Sequence, residues 1–207
     1  MLYPRLSAKI LFASFILKVT FLIAPLAGAS ADSQSRPASL STQNSPSKSQ
    51  ILKRLYYKLQ HAEDSKNANT IEKEIEGVWL ESGSHTVNLL MQRALRSQSE
   101  NKNTVCLHLL NEIVTIAPGY QTGWYRRALI HFNNGNYSLA LIDIRQVLAL
   151  DPHNFKAIYG LGLILQEVGN KKSALRVFKK LLAIHPHYED AKKAVEQLTI
   201  EVEGQDT

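Results

Sequence analysis

Apolar and small residues along this chain repeat in register with themselves. Leu110, Ile144 and Phe178 are spaced 34 residues apart, and Ile113, Val147 and Leu181 keep the same step. So do Pro118, Pro152 and Pro186, and Cys106, Ala140 and Ala174, while Gly135 and Gly169 mark a shared turn. A fixed period of this length is the mark of stacked repeats, in which each unit buries a face of its neighbour. The pattern predicts three copies, over 87–120, 121–154 and 155–188. Each copy reads as helix A, turn, helix B, with helix A of the second copy at about 121–133 and helix B at about 137–150. Gly135 and Gly169 supply the left-handed residue that ends helix A, and Asn101 holds that place in the first copy. Ala94, Ala128 and Gly162 keep one helix A position small, as Cys106, Ala140 and Ala174 do on helix B, so that the paired helices approach closely.

The flanks carry helical spacing without the repeat residues. Ile51, Leu52, Leu55, Tyr56 and Leu59 predict one helix. Polar residues from Asp64 to Asn69 break it, and Thr70 is a candidate N-cap for a second helix. Ile71, Ile75, Val78, Trp79 and Leu80 form the apolar stripe of that helix. Residues 50–83 are expected to be a divergent N-terminal hairpin covering the first repeat, because a solenoid exposes an apolar face at each end. At the other end, 189–203 predicts a capping helix, with Ala191, Ala194, Val195, Leu198 and Val202 on its buried face and a frayed tail after it.

These residues carry a resemblance to the tetratricopeptide repeat (TPR) family. The family pattern is Trp, then Leu-Gly, then Tyr, then a small residue, an aromatic and a proline at set offsets. The second copy has Trp124, Ala128, Ala140 and Pro152, but Arg127, His131 and Ile144 replace the leucine, tyrosine and aromatic. The third has Leu161-Gly162, Ala174, Phe178 and Pro186, with Ile158 and Leu165 for the tryptophan and tyrosine. The first keeps Leu90, Ala94, Cys106, Leu110 and Pro118. The resemblance covers about half the chain and implies an all-α, right-handed α–α superhelix of helical hairpins that binds protein rather than catalysing a reaction.

Composition alters this picture chiefly at the N-terminus. The chain has 207 residues, 44% hydrophobic and 20% charged, which suits one globular domain. Residues 1–31 read as a secretory signal peptide: Arg5 and Lys9 precede the apolar runs Ile10–Leu17 and Val19–Leu26, and Ala27-Gly28-Ala29 or Ala29-Ser30-Ala31 offers cleavage. The rival reading is an uncleaved anchor, but neither run reaches the roughly 20 residues that span a bilayer. No stable membrane span is expected after cleavage. Removing 1–31 leaves 21 basic against 18 acidic residues, so the net charge falls from +6 to +3 and nucleic acid is not an expected partner. Residues 32–49, rich in Ser, Gln, Asn and Pro, are expected to be a disordered linker. The resemblance extends to small exported TPR proteins of Gram-negative bacteria, which implies the periplasm.

Candidate chemistry is sparse. The single thiol, Cys106, can form no disulfide within the chain and occupies a packing position. His185-Pro186-His187 brings no further ligand in a fixed frame, so no metal or cofactor is expected. His131 reads as a structural histidine, and Asp143 and Arg145 as surface charges. Gly160-Leu-Gly162 lies inside a helix and follows no strand, so it is no phosphate loop. Lys171-Lys172, Lys179-Lys180 and Lys192-Lys193 offer an alternative function, polyanion or envelope-surface binding, although Glu189, Asp190 and Glu196 dilute them. A further alternative is an accessory subunit of an enzyme.

The family's inner-face positions supply the candidate site. They map to Asn88, Met91, Leu95 and Gln98, to Thr122, Tyr125, Leu129 and Phe132, and to Lys156, Tyr159, Leu163 and Gln166. Met91, Tyr125 and Tyr159 form one ladder, and Leu95, Leu129 and Leu163 another. Either the ladders pack against a terminal element, or Met91, Leu95, Tyr125, Leu129, Phe132, Lys156, Tyr159 and Leu163 form a peptide-binding groove. The Lys, Asn and Arg clamp by which some TPR domains grip a terminal carboxylate is matched only at Lys156, which favours an apolar or mixed ligand.

Overall fold

A computed structural model describes residues 46–203. The leader at 1–31, most of the expected linker and the tail at 204–207 lie outside the described residues. Among the described residues every regular element is a helix: α1 (Lys48–Gln60), α2 (Ser65–Leu80), α3 (His85–Ser99), α4 (Asn103–Ile116), α5 (Gln121–Asn133), α6 (Tyr137–Leu150), α7 (Phe155–Glu167), α8 (Lys171–Ile184) and α9 (Glu189–Glu203). The fold is the expected all-α superhelix of hairpins. Each of α4 to α8 packs on the helix before and after it, α3 opens the series against α4, and α9 closes it against α8.

Local chemistry sets the helix ends. Ser47 accepts from the Gln50 amide while the Gln50 side chain accepts from the Ser47 amide, a capping box that starts α1 at Lys48, inside the stretch expected to be linker. Asp64 caps α2 through the Asn67 amide at 2.7 Å, so α2 begins five residues before Thr70. Thr70 is no cap: its hydroxyl donates back to the Lys66 carbonyl within the helix. Gly135 and Gly169 adopt φ of +73° and +78°, and Asn101 follows them at +58°. Asn154 accepts from the Ala157 amide at 2.9 Å to open α7.

The small residues do what their spacing requires. A Cβ on Gly162 would overlap the Phe178 ring, and one on Gly123 would meet Ile113 Cγ2 at 2.7 Å. The first position brings α7 onto α8 within a repeat; the second brings α5 onto α4 between repeats. Phe178, Leu181, Ile144, Val147, Leu110 and Ile113 are fully enclosed as a result. Each such side chain contributes about 1.5–3 kcal/mol on burial.

The N-terminal hairpin is the departure. The core of the first repeat is built from Val87, Met91, Ala94, Cys106, Leu110 and Ile113, with Tyr120 and Ile130, and takes no buried residue from α1 or α2. Instead Leu55, Tyr56, Leu59, Ile71, Ile75 and Trp79 share a core with Phe155, Ile158, Phe178, Leu181, Ala191 and Leu198. α1 packs on α8 and α2 on α5. The hairpin therefore covers the second and third repeats rather than the first.

Two features explain this. Equivalent turn positions in the three repeats hold Ala117, Asp151 and His185, so polar anchors occur only in the second and third. The outer edge of the first repeat also has little to cover. The residues that touch a preceding repeat, Gly123, Arg127 and Ile130 in the second copy and Ala157, Leu161 and Ile164 in the third, correspond to Leu89, Arg93 and Arg96. Both arginines are exposed, and the first repeat finishes its own end.

Candidate peptide-binding face

Seven of the eight candidate groove residues fall into two groups. Tyr125, Lys156 and Tyr159, near the N-terminal ends of α5 and α7, lie at the hairpin. Lys156 Nζ pairs with Glu76 of α2 at 2.5 Å. Tyr125 lines a cavity of about 60 Å³ together with Glu76, Trp79, Leu80 and Lys156. Burial pushes its phenol up to about 12, so it stays protonated. Tyr159 stands 5.1 Å from the Tyr188 ring and 5.6 Å from Phe178. Tyr188 in turn neighbours Phe155, which meets Trp79 of α2 at 5.0 Å. A continuous run of rings thus crosses from the repeats into the hairpin.

Polar anchors hold the hairpin in place. Asp151 Oδ2 accepts from Tyr56 Oη at 2.5 Å and from Trp79 Nε1 at 3.2 Å, one donor from each helix of the hairpin. Burial, and next the Asp151 charge, raise the Tyr56 phenol far above its ordinary range, which keeps it a donor. His185, 0% exposed, places Nε2 2.5 Å from Glu72 Oε1. At the end of α2, Thr122 donates to the Trp79 carbonyl at 2.7 Å and Tyr120 to the Leu80 carbonyl at 2.9 Å. Tyr56, Trp79, Thr122 and His185 stand in stretches that the sequence pattern singles out, though not as anchors. Comparing positions 117, 151 and 185 across the copies, where Ala gives way to Asp and His, is the signal that could have marked Asp151 and His185 as anchors.

Leu95, Leu129, Phe132 and Leu163 form the second group. All four are half-buried, so an apolar edge of each stays open to solvent. Met91 belongs to neither group. It is 4% exposed within the first repeat's core, because that copy packs its own helices around it, and it offers no contact surface.

Other expectations resolve as follows. Asp143 is not a surface charge: it is 1% exposed, and its oxygens accept from Arg127 Nε at 2.8 Å and Nη2 at 2.6 Å. The family's leucine and its facing residue have become a buried ion pair, with Arg127 also stacked on Trp124 and bonded to Asn111. Arg145 is exposed, as expected. His131 is half-buried, 4.0 Å from Asp143. Burial pushes the Cys106 thiol up, away from reactive thiolate. His187 donates to the Ala62 carbonyl at 2.9 Å, so the two histidines flanking Pro186 serve separate anchors. Lys171 and Lys192 pair with Glu201 and Glu189, which thins the basic patch. Among the described residues no helix is long and apolar enough to cross a membrane.

Comparison with known proteins agrees with this architecture. The tetratricopeptide repeat family profile matches residues 122–154. A TPR repeat-containing protein of Rhizobium etli is 35% identical over 163 residues, which cover 79% of this chain and 80% of that protein. Among solved structures, the Sgt2 TPR domain of Aspergillus fumigatus aligns with a TM-score of 0.55 at 18% identity, over 59% of this chain and 83% of its own. The second TPR domain of human RPAP3, solved with an HSP70 peptide, aligns at 0.50 and 18% identity, over 53% and 92% of the two chains. At these identities the structural likeness speaks to the fold alone. The relative's identity and extent show that this chain belongs to the tetratricopeptide repeat family.

Proposed function

We propose that this protein is a non-enzymatic binding module that takes a protein or peptide segment on its concave face, in the cell envelope after export. The observation that carries the reading is the leucine ladder. Leu95, Leu129 and Leu163 recur at the repeat spacing, and each remains half-buried, as Tyr125 and Tyr159 do beside the hairpin. A regular apolar strip left partly open suits the side chains of an extended or helical segment. Phe132 widens it. The RPAP3 and yeast Sti1 TPR domains solved with HSP70 peptides support the reading as instances of this fold holding a segment. The leader-like residues 1–31 support export, and the periplasm is the proposed compartment.

A photoreactive residue at position 129 tests the face in intact cells, with the same residue at position 142 on the exposed side of α6 as its reference. The reading requires a defined adduct from 129, absent from 142 and lost when Leu163→Asp is added. Equal labelling from both positions would remove the concave face as the interface. Mass spectrometry of the mature N-terminus tests export, which requires a start after Ala29 or Ala31; a start at Met1 would exclude it.

A further inference from the structure

We infer that the tyrosine-bearing half of the concave face is a receptor for an acidic amphipathic helix, that α2 is its resident occupant, and that an external helix of the same chemistry can displace the α1–α2 hairpin. The inference rests on the concave-face reading above and adds the class of ligand and the means of access.

The chemistry of the seat is visible because it is occupied. α2 presents Ile71, Ile75 and Trp79 at helical spacing to Phe155 and its neighbours, and all three are buried there. On the adjoining stripe, Glu72 and Glu76 lie one turn apart and meet His185 and Lys156. An acidic stripe beside an apolar one therefore faces a basic and aromatic seat. Complementary charge selects such a helix over a basic or neutral one.

The manner of attachment points to displacement. α3 to α8 are joined face to face along the series, each built into its neighbours. The hairpin lies outside that series. It shares the apolar core of the third repeat and α9, and side-chain bonds to Asp151, His185, Lys156 and Thr122 fix its place there; the short segment 81–84 connects it to α3, with Gly83 at φ +76°. The cores of the first and second repeats contain no buried residue from α1 or α2, so they do not depend on its docking. A ligand that binds the seat competes with α2, and its apparent affinity is scaled down by the small fraction of open hairpin.

The test uses the full chain and a fluorescein-labelled synthetic peptide of residues 64–81, read by anisotropy. Tyr56→Phe removes one anchor without changing shape, and is expected to raise the affinity for the peptide at least fivefold. In the Lys156→Glu chain, a peptide carrying Glu76→Lys is expected to bind at least fivefold tighter than the native peptide, the reverse of the wild-type order. Both peptides meet the same hairpin in that chain, so the closed fraction cancels from the comparison. Hydrogen exchange supplies the independent measurement: α1 and α2 amides are expected to exchange at least tenfold faster than those of α5 to α7, and Tyr56→Phe to accelerate the hairpin alone. Hairpin amides as protected as α5 to α7 and indifferent to Tyr56→Phe would overturn displacement. A hairpin that opens while peptide preference ignores the charge at position 156 would overturn the receptor. Neither failure touches the leucine ladder, which stands or falls on the position 129 adduct.

Discussion

The Arg127–Asp143 pair shows how a single substitution in a repeat pattern changes the physics of a position. Asp143→Ala leaves a part-buried guanidinium without its carboxylate, and such a loss costs about 2 kcal/mol. Arg127→Leu with Asp143→Leu replaces both charges with apolar volume, and the expected cost is within about 1 kcal/mol of wild type. Urea titration of the two variants measures the contrast. The two glycines of α7 separate in the same way. Gly162→Ala sets a Cβ into the Phe178 ring, and about 1–3 kcal/mol of overpacking outweighs the gain in helix propensity. A Cβ on Gly160 meets Ile144 Cδ1 at 3.3 Å, a tight contact that offsets much of the gain in helix propensity, so Gly160→Ala is expected to stay within about 0.5 kcal/mol of wild type. His131 supplies a pH dependence. Burial lowers its imidazole below the ordinary value of about 6.5, Asp143 pulls the other way, and Arg127 adds to the lowering. The folded form then binds the proton less readily than the unfolded form. Its contribution is fully present above the unfolded value and is lost as pH falls through the lower folded value. His131→Gln is expected to flatten the loss of stability between about pH 7 and 5, measured by denaturant titration across that range.

At the scale of elements, the placement of α1 and α2 depends on Asp151 more than on any apolar residue. The apolar faces of the two helices would suit several neighbours, but a buried Tyr hydroxyl and a buried indole N–H suit only a site with an acceptor. Asp151→Ala strands both donors and is expected to cost about 2–3 kcal/mol. The intrinsic fluorescence of Trp79 during denaturation reports that loss, because its ring lies at the boundary between hairpin and repeats. The helices themselves were legible in the sequence, since apolar spacing and the 34-residue step place α3 to α9 closely. Less legible was the start of α2. The polar run from Ser65 to Asn69 looks like a loop by composition, yet Asp64 caps it and Ala68 is buried against the core. A single buried alanine inside a polar turn carries little signal.

Across the whole molecule, the two ends of the series are finished by different means. α9 covers the C-terminal end with an amphipathic face, whereas the first repeat ends in exposed Arg93 and Arg96 at places where later copies hold Leu161 and Ile164. Charge at that edge is expected to disfavour a second copy continuing the stack. Arg93→Leu with Arg96→Ile recreates the inner-repeat edge and is expected to produce concentration-dependent self-association in analytical ultracentrifugation, with helicity unchanged by circular dichroism. Because the first repeat needs no cover, the hairpin was available for another surface.

The sequence alone determined the repeat, its period and its helix pairs, because each depends on contacts between residues at fixed local or 34-residue separations that recur and so reinforce one another. The family resemblance that it carries supplied the candidate inner-face positions of helix A. Only the tertiary structure decided which of them remain open. That outcome depends on one non-repeating hairpin and on contacts such as Tyr56 to Asp151, made once and across 95 positions. A periodic pattern averages over its copies; a unique long-range contact leaves no period to read.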